Sequence, residues 1–136
     1  MRRALLAVAV LLLATACDEG PTEPSRTESL AGTLARSAST TSSLTMHGTG
    51  NLRVTGIDFV QLAADGTTTP GAGGITFATG HTNNNECVVT GAFAVIKDSV
   101  ISLGLQKGDY CIKLTEPTVV AEGNSLRYEL RLEITD

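Results

Sequence analysis

The ten residues Leu126 to Thr135, LRYELRLEIT, alternate without a break: Leu126, Tyr128, Leu130, Leu132 and Ile134 fall on one side, Arg127, Glu129, Arg131 and Glu133 on the other. Successive side chains of an extended strand point to opposite faces, so this stretch reads as a strand with one buried and one wet face. A buried strand face needs a second apolar layer to cover it. Shorter β-type runs punctuated by Gly and polar turns precede it: Leu52 to Leu62, Ile75 to Thr79, Val88 to Ile96, Ser99 to Leu105 and Tyr110 to Thr115. Helical periodicity is absent and the connections are short. The 86 residues from Asn51 onward therefore read as a small antiparallel β-sandwich of six or seven strands, an all-β fold.

One segment of that domain, Leu105-Gln-Lys-Gly108-Asp-Tyr110-Cys-Ile112-Lys-Leu114, resembles a turn-and-strand found in transthyretin-like and immunoglobulin-like bacterial domains. The resemblance covers about ten residues. It implies a hairpin turn at Gly108 and an inward-packed Tyr110, and it says nothing of function, because such folds host many activities.

Ahead of Asn51 the chain is of another kind. Arg2 and Arg3 precede an unbroken apolar run of 11 residues, Ala4 to Ala14. A membrane-spanning helix needs about 20. A positive start, a short apolar segment and the small residues Ala14, Thr15 and Ala16 have the order of an export signal, and they lead directly into Cys17. Ala14-Thr15-Ala16-Cys17 resembles the lipobox of bacterial lipoproteins, with Ala14 where Leu is commonest. That family implies diacylglycerol on the Cys17 thiol, cleavage before it and acylation, commonly with palmitate, of the new amino group. An ordinary cleaved signal with the cut after Ala16 is the alternative. Several acyl chains exceed what stable anchoring requires, so the expectation is a bacterial cell-envelope protein held to a membrane through Cys17. Asp18 and Glu19 fit both retention at the inner membrane and display at the outer membrane or cell surface.

The expected organisation is thus a signal peptide over 1–16, a lipidated Cys17 with a flexible tether over 17–50, and the sandwich over 51–136. Pro21 and Pro24 stiffen the tether's start, and Ser37 to Thr45 is seven Ser/Thr in nine. Such composition buries too little apolar surface to offset its ordering entropy. Leu30 and Leu34 would share one face of a short helix over 28–36, but Gly32 lies between them and no partner face is evident, so the segment is expected to be disordered or transiently helical.

Cleavage removes Arg2 and Arg3 and leaves 8 Lys+Arg against 14 Asp+Glu. That balance, without a basic cluster, argues against nucleic acid as a partner. Cys87 and Cys111 remain besides the anchor, and outside the cytoplasm an even pair reads as a disulfide worth about 3 kcal/mol. The register raises a difficulty. If Tyr110, Ile112 and Leu114 face inward, Cys111 faces outward. A simple meander of the runs at 88–96, 99–105 and 110–115 would then set the two cysteines two strand spacings apart, beyond a disulfide's reach. The expectation is a bond, with the meander giving way or the pair lying where the chain bends.

Residues for chemistry are few. His81, Glu86 and Cys87 lie in the polar loop Gly80-His-Thr-Asn-Asn-Asn-Glu-Cys, and Asn83 to Asn85 offer oxygens, but neither set has metal-site spacing. No nucleophile-and-base motif is present, and Asp58, Asp65 and Asp98 sit where solvated acids are the rule. No catalytic residue, metal or cofactor is assigned. Glycan binding needs aromatic platforms, and the domain offers Phe59, Phe77, Phe93, Tyr110 and Tyr128 with no Trp. The expected function is a non-catalytic interaction or accessory module at the envelope, meeting a protein partner there. The alternative is a glycan or small-ligand module built on the loops 65–74 and 80–86, and an enzyme without a recognisable motif comes third.

Overall fold

A computed structural model describes residues 26–71 and 73–136. Among them are nine strands and no helix, arranged as two antiparallel sheets: β1 (Arg26–Ala35), β2 (Ser39–Met46), β3 (Gly50–Leu62), β4 (Thr68–Pro70), β5 (Gly74–Asn83), β6 (Glu86–Ile96), β7 (Val100–Leu105), β8 (Gly108–Thr115) and β9 (Ser125–Thr135). The alternating segment at 126–135 becomes β9, and its five apolar residues are buried to the last. Its charged side chains lie on the outer face, where Arg53 of β3 sits opposite Glu133 at 3.4 Å. β9 is the middle of the first sheet, ordered β1-β9-β3-β4, with β7 beside the other half of β3. The second sheet runs β2-β8-β5-β6. Between them Phe59, Leu52, Leu130 and Leu132 from the first sheet meet Phe77, Ile75, Ile112 and Leu114 from the second, all essentially without solvent contact.

Part of the segment expected as a tether is folded. Residues 26–46 form β1 and β2, one strand for each sheet, so the sandwich starts at least 25 residues before Asn51. The physical reason lies in sparse apolar residues at period two: Leu34, Leu44 and Met46 are buried and Leu30 packs against the core. Serine and threonine take the open faces, where their hydroxyls stay wet and their backbone bonds complete the ladders. Leu30 and Leu34 share a face as expected, but of a strand rather than a helix. Gly32 between them makes room for Tyr128, whose ring lies against the place a Cβ would occupy. The signal peptide expected over 1–16, Cys17 and residues 18–25 of the expected tether lie outside the described residues.

The connection at 105–108 also departs from expectation. β7 belongs to the first sheet and β8 to the second, so Gln106 and Lys107 carry the chain between layers rather than round a hairpin. Tyr110 does pack against the core, and its hydroxyl donates to the Gln106 carbonyl at 2.9 Å, closing this crossing. The Asp65–Gly74 segment, expected as a loop, holds the short strand β4 paired to the end of β3.

One buried carboxylate ties two corners together. Glu116, 1 % exposed, accepts hydrogen bonds from the amides of Ser37 (2.6 Å), Val119 (2.7 Å), Thr118 (3.0 Å) and Val120 (3.1 Å). Ser37 and Thr118 both stand in the left-handed region, which costs a residue bearing a Cβ about 1 kcal/mol or more. Burial raises the affinity of this carboxyl for a proton, but the four amides outweigh it and hold its pKa below the ordinary glutamate value.

Candidate interaction edge

The cysteine pair locates the most unusual part of the surface. Cys87 on β6 and Cys111 on β8 are bonded, with their Cα atoms 5.7 Å apart, although β5 lies between their strands. Two flat strand spacings would be nearly 10 Å. The chain bends to close the difference. β5 stops pairing with β8 at Gly80, opposite Cys111, and the β5–β6 register shifts between Thr79 and Gly80. A Cβ at Gly80 would fall on the Val88 carbonyl, so the missing side chain lets the tip of the hairpin fold toward β8. Asn84 and Asn85, both left-handed, form its two-residue turn, the conformation that suits tight hairpins. Cys111 does face away from the core, as its register requires, and is buried there under the folded tip.

The same geometry places the side chains considered at the tip. Cys87 is spent in the disulfide and His81 stacks on Tyr110 with ring centroids 5.0 Å apart, its Nδ1 3.3 Å from the Asp109 carbonyl. Among the described residues no three His, Cys, Asp or Glu side chains gather as metal ligands would. Among the described residues the segments 65–74 and 80–86 share no pocket, because the stretch of β5 from Gly74 to Gly80 holds them about 20 Å apart. Phe59 and Phe77 are wholly buried and Tyr128 nearly so, which leaves no flat aromatic pair facing solvent.

What does face solvent is β6. It is the outer strand of its sheet, 11 residues long, with no charged residue or proline between Cys87 and Ile96. Val88, Val89, Phe93 and Ile96 are exposed, Val88 by 51 % and Ile96 by 56 %. At its far end Ile96 and Ala94 border a shallow apolar groove of about 260 Å³ with Ile75, Pro117 and Val119. The backbone of β6 is open as well. Both main-chain groups of Ile96 turn away from β5, the amide donating to Ser99 Oγ at 2.9 Å and the carbonyl accepting from that hydroxyl at 2.8 Å. Alternation along an antiparallel strand turns the amide and carbonyl of Ala94 and Ala92 the same way, and there no strand meets them. Short edges, charges, prolines and bulges are the usual guards of such an edge. Of these β6 has one, the bulge where the extra residue Thr90 interrupts the ladder.

The other margins differ. β1 carries Arg26 and Glu28, and β4 is three residues long and ends in Pro70. β2 and β7 have neither charge nor proline, but β2 shows mainly Ser and Thr to solvent, and the outer face of β7 is Val100, Ser102 and Gly104, so neither carries the run of exposed apolar residues found on β6. An exposed apolar edge is legible in the sequence only after the neighbours are known. The run ECVVTGAFAVI reads as well for a strand buried between two others.

No family model matches the chain, and no curated protein is similar to it in sequence. Among solved structures, the coat protein of Tobacco streak virus aligns at 12 % identity over 82 % of this chain and 89 % of that one, with a TM-score of 0.26. A likeness that low carries no argument about fold or function.

Proposed function

We propose that this chain is an envelope lipoprotein, anchored through Cys17, whose sandwich is a non-catalytic module that takes up an extended strand of another protein along β6. The observation that carries the reading is the bare edge itself: free amide and carbonyl groups at Ala92 and Ala94, flanked by exposed Val88, Val89, Phe93 and Ile96. Strand addition of this kind draws affinity from main-chain hydrogen bonds and specificity from alternate side chains. The acidic, lipobox-bearing start of the mature chain supports a membrane address, with the sandwich facing the aqueous side. Palmitate labelling of cells producing the chain should mark it, and Cys17→Ala should abolish the label and release the protein. A benzoylphenylalanine placed at Ala92 should photocrosslink to protein in native envelopes, while the same group at Thr41 on β2 should not. Equal yields from both edges would sink the interaction reading.

A further inference from the structure

We infer that the strand received by β6 is β6 of a second copy of this chain, running antiparallel across a two-fold axis at Phe93; this names the partner within the reading above and rests on it. The register follows from which groups are free. Only Ala92 and Ala94 turn both main-chain groups outward beyond the bulge, since those of Ile96 are taken by Ser99. An antiparallel pair uses its outward groups fully when such residues face each other. Setting Ala92 against the partner copy's Ala94, and the reverse, satisfies all of them at once. An axis at Ala94 would oppose Ala92 to the occupied Ile96, and an axis at Ala92 would oppose Ala94 to the bulged Thr90.

The side chains agree with that register. Phe93 falls opposite its own counterpart as a close pair without hydrogen bonds, and its ring, 37 % exposed at the open side of the sandwich, gains an aromatic neighbour. Charge agrees too. The strand is neutral from Cys87 to Ile96, so no like charges face each other along the paired stretch. The product is a continuous eight-stranded sheet with β2 at both margins. Three paired residues from each copy make a contact smaller than specific interfaces usually are. Such a contact is weak between free chains and gains when both copies are held on one membrane.

The test is cysteine crosslinking of the full chain in its native membrane. In this register the two Cα atoms of residue 93 come within about 4.5 Å, inside the range a disulfide spans. Phe93→Cys should give a disulfide-linked band at twice the chain mass on mild oxidation, and Thr41→Cys should give none. Adding Ala94→Pro to Phe93→Cys removes an outward amide that β5 does not use, so the domain keeps its fold and the dimer band is lost. Absence of the band from folded Phe93→Cys overturns the second copy as partner. The benzoylphenylalanine at Ala92 then separates the causes. A crosslink to a different protein keeps strand addition and replaces the partner, a crosslink to residues 17–25 of the same chain makes the edge self-covered, and no crosslink removes both proposals.

Discussion

The two margins of the second sheet, β2 and β6, have the same backbone and opposite surfaces. β2 presents Ser39, Thr41 and Ser43 to water, and its hydroxyls are engaged: Ser39 pairs with Thr115 at 2.8 Å and Thr45 donates to Asp109 at 2.9 Å. The turn that leads into it is pinned by Glu116 through the Ser37 amide. β6 presents valines, alanines and a phenylalanine, and is pinned at one end by the disulfide and at the other by Ser99. Each margin is held firmly in place, and the two differ in side chains, polar along β2 and apolar along β6. A strand kept rigid while its outer groups stay free is preorganised for a partner, since little ordering entropy remains to be lost on docking.

If the disulfide is what holds β6 in position, its removal should separate the two margins most. Cys87→Ser with Cys111→Ser should cost about 3 kcal/mol of stability, read by denaturant unfolding. Amide exchange should rise along 81–89 and stay unchanged on β2. The reciprocal lesion is Glu116→Gln, which removes the charge from four amide hydrogen bonds and should cost about 2 kcal/mol. It should free the turn at Ser37 and the start of β2 while β6 keeps its protection.

Acid should mimic that lesion. The carboxyl of Glu116 has a lower pKa folded than unfolded, so its contribution is fully present above the ordinary glutamate value of 4.5 and is lost as pH falls through the folded value. The stability-against-pH curve of Glu116→Gln should lack that loss, and a curve parallel to wild type would place the acid sensitivity elsewhere.

Surface changes should have the smallest effect on stability, within about 0.5 kcal/mol, and the clearest effect on association. Ala94→Lys should leave the melting temperature nearly unchanged and reduce light scattering or crosslinking at high concentration. Thr41→Val with Ser43→Val asks whether apolar character alone opens an edge. New association through β2 would show that it does; unchanged behaviour would assign the difference to the free groups and shape of β6.

Much of the second half of the chain was legible because its apolar residues are dense and regular. β9 follows from strict alternation, and β3, β5, β6, β7 and β8 fall where β-type runs stand between glycines and polar turns. The bond between Cys87 and Cys111 was legible from compartment and count, and the geometric conflict it raised was resolved by a bend at Gly80. β1 and β2 were not legible. Their apolar faces amount to Leu30, Leu34, Leu44 and Met46, and the Ser/Thr-rich remainder has the composition of a linker until β8 and β9 supply partners. Long-range pairing, and not local propensity, makes those strands. The bare edge was hidden for the same reason, because exposure of β6 depends on strand order and leaves no trace in its own residues.

Site-resolved amide exchange at Ala92 and Ala94, comparing the protein at the membrane where the proposed anchor would hold it with the dilute purified chain, tests the central claim most directly. Slow exchange in the membrane, fast exchange in the dilute chain and equal exchange along β2 in both is the predicted result. Fast exchange at Ala92 and Ala94 in both settings would contradict it, because a strand that never gains a partner there is not a docking edge.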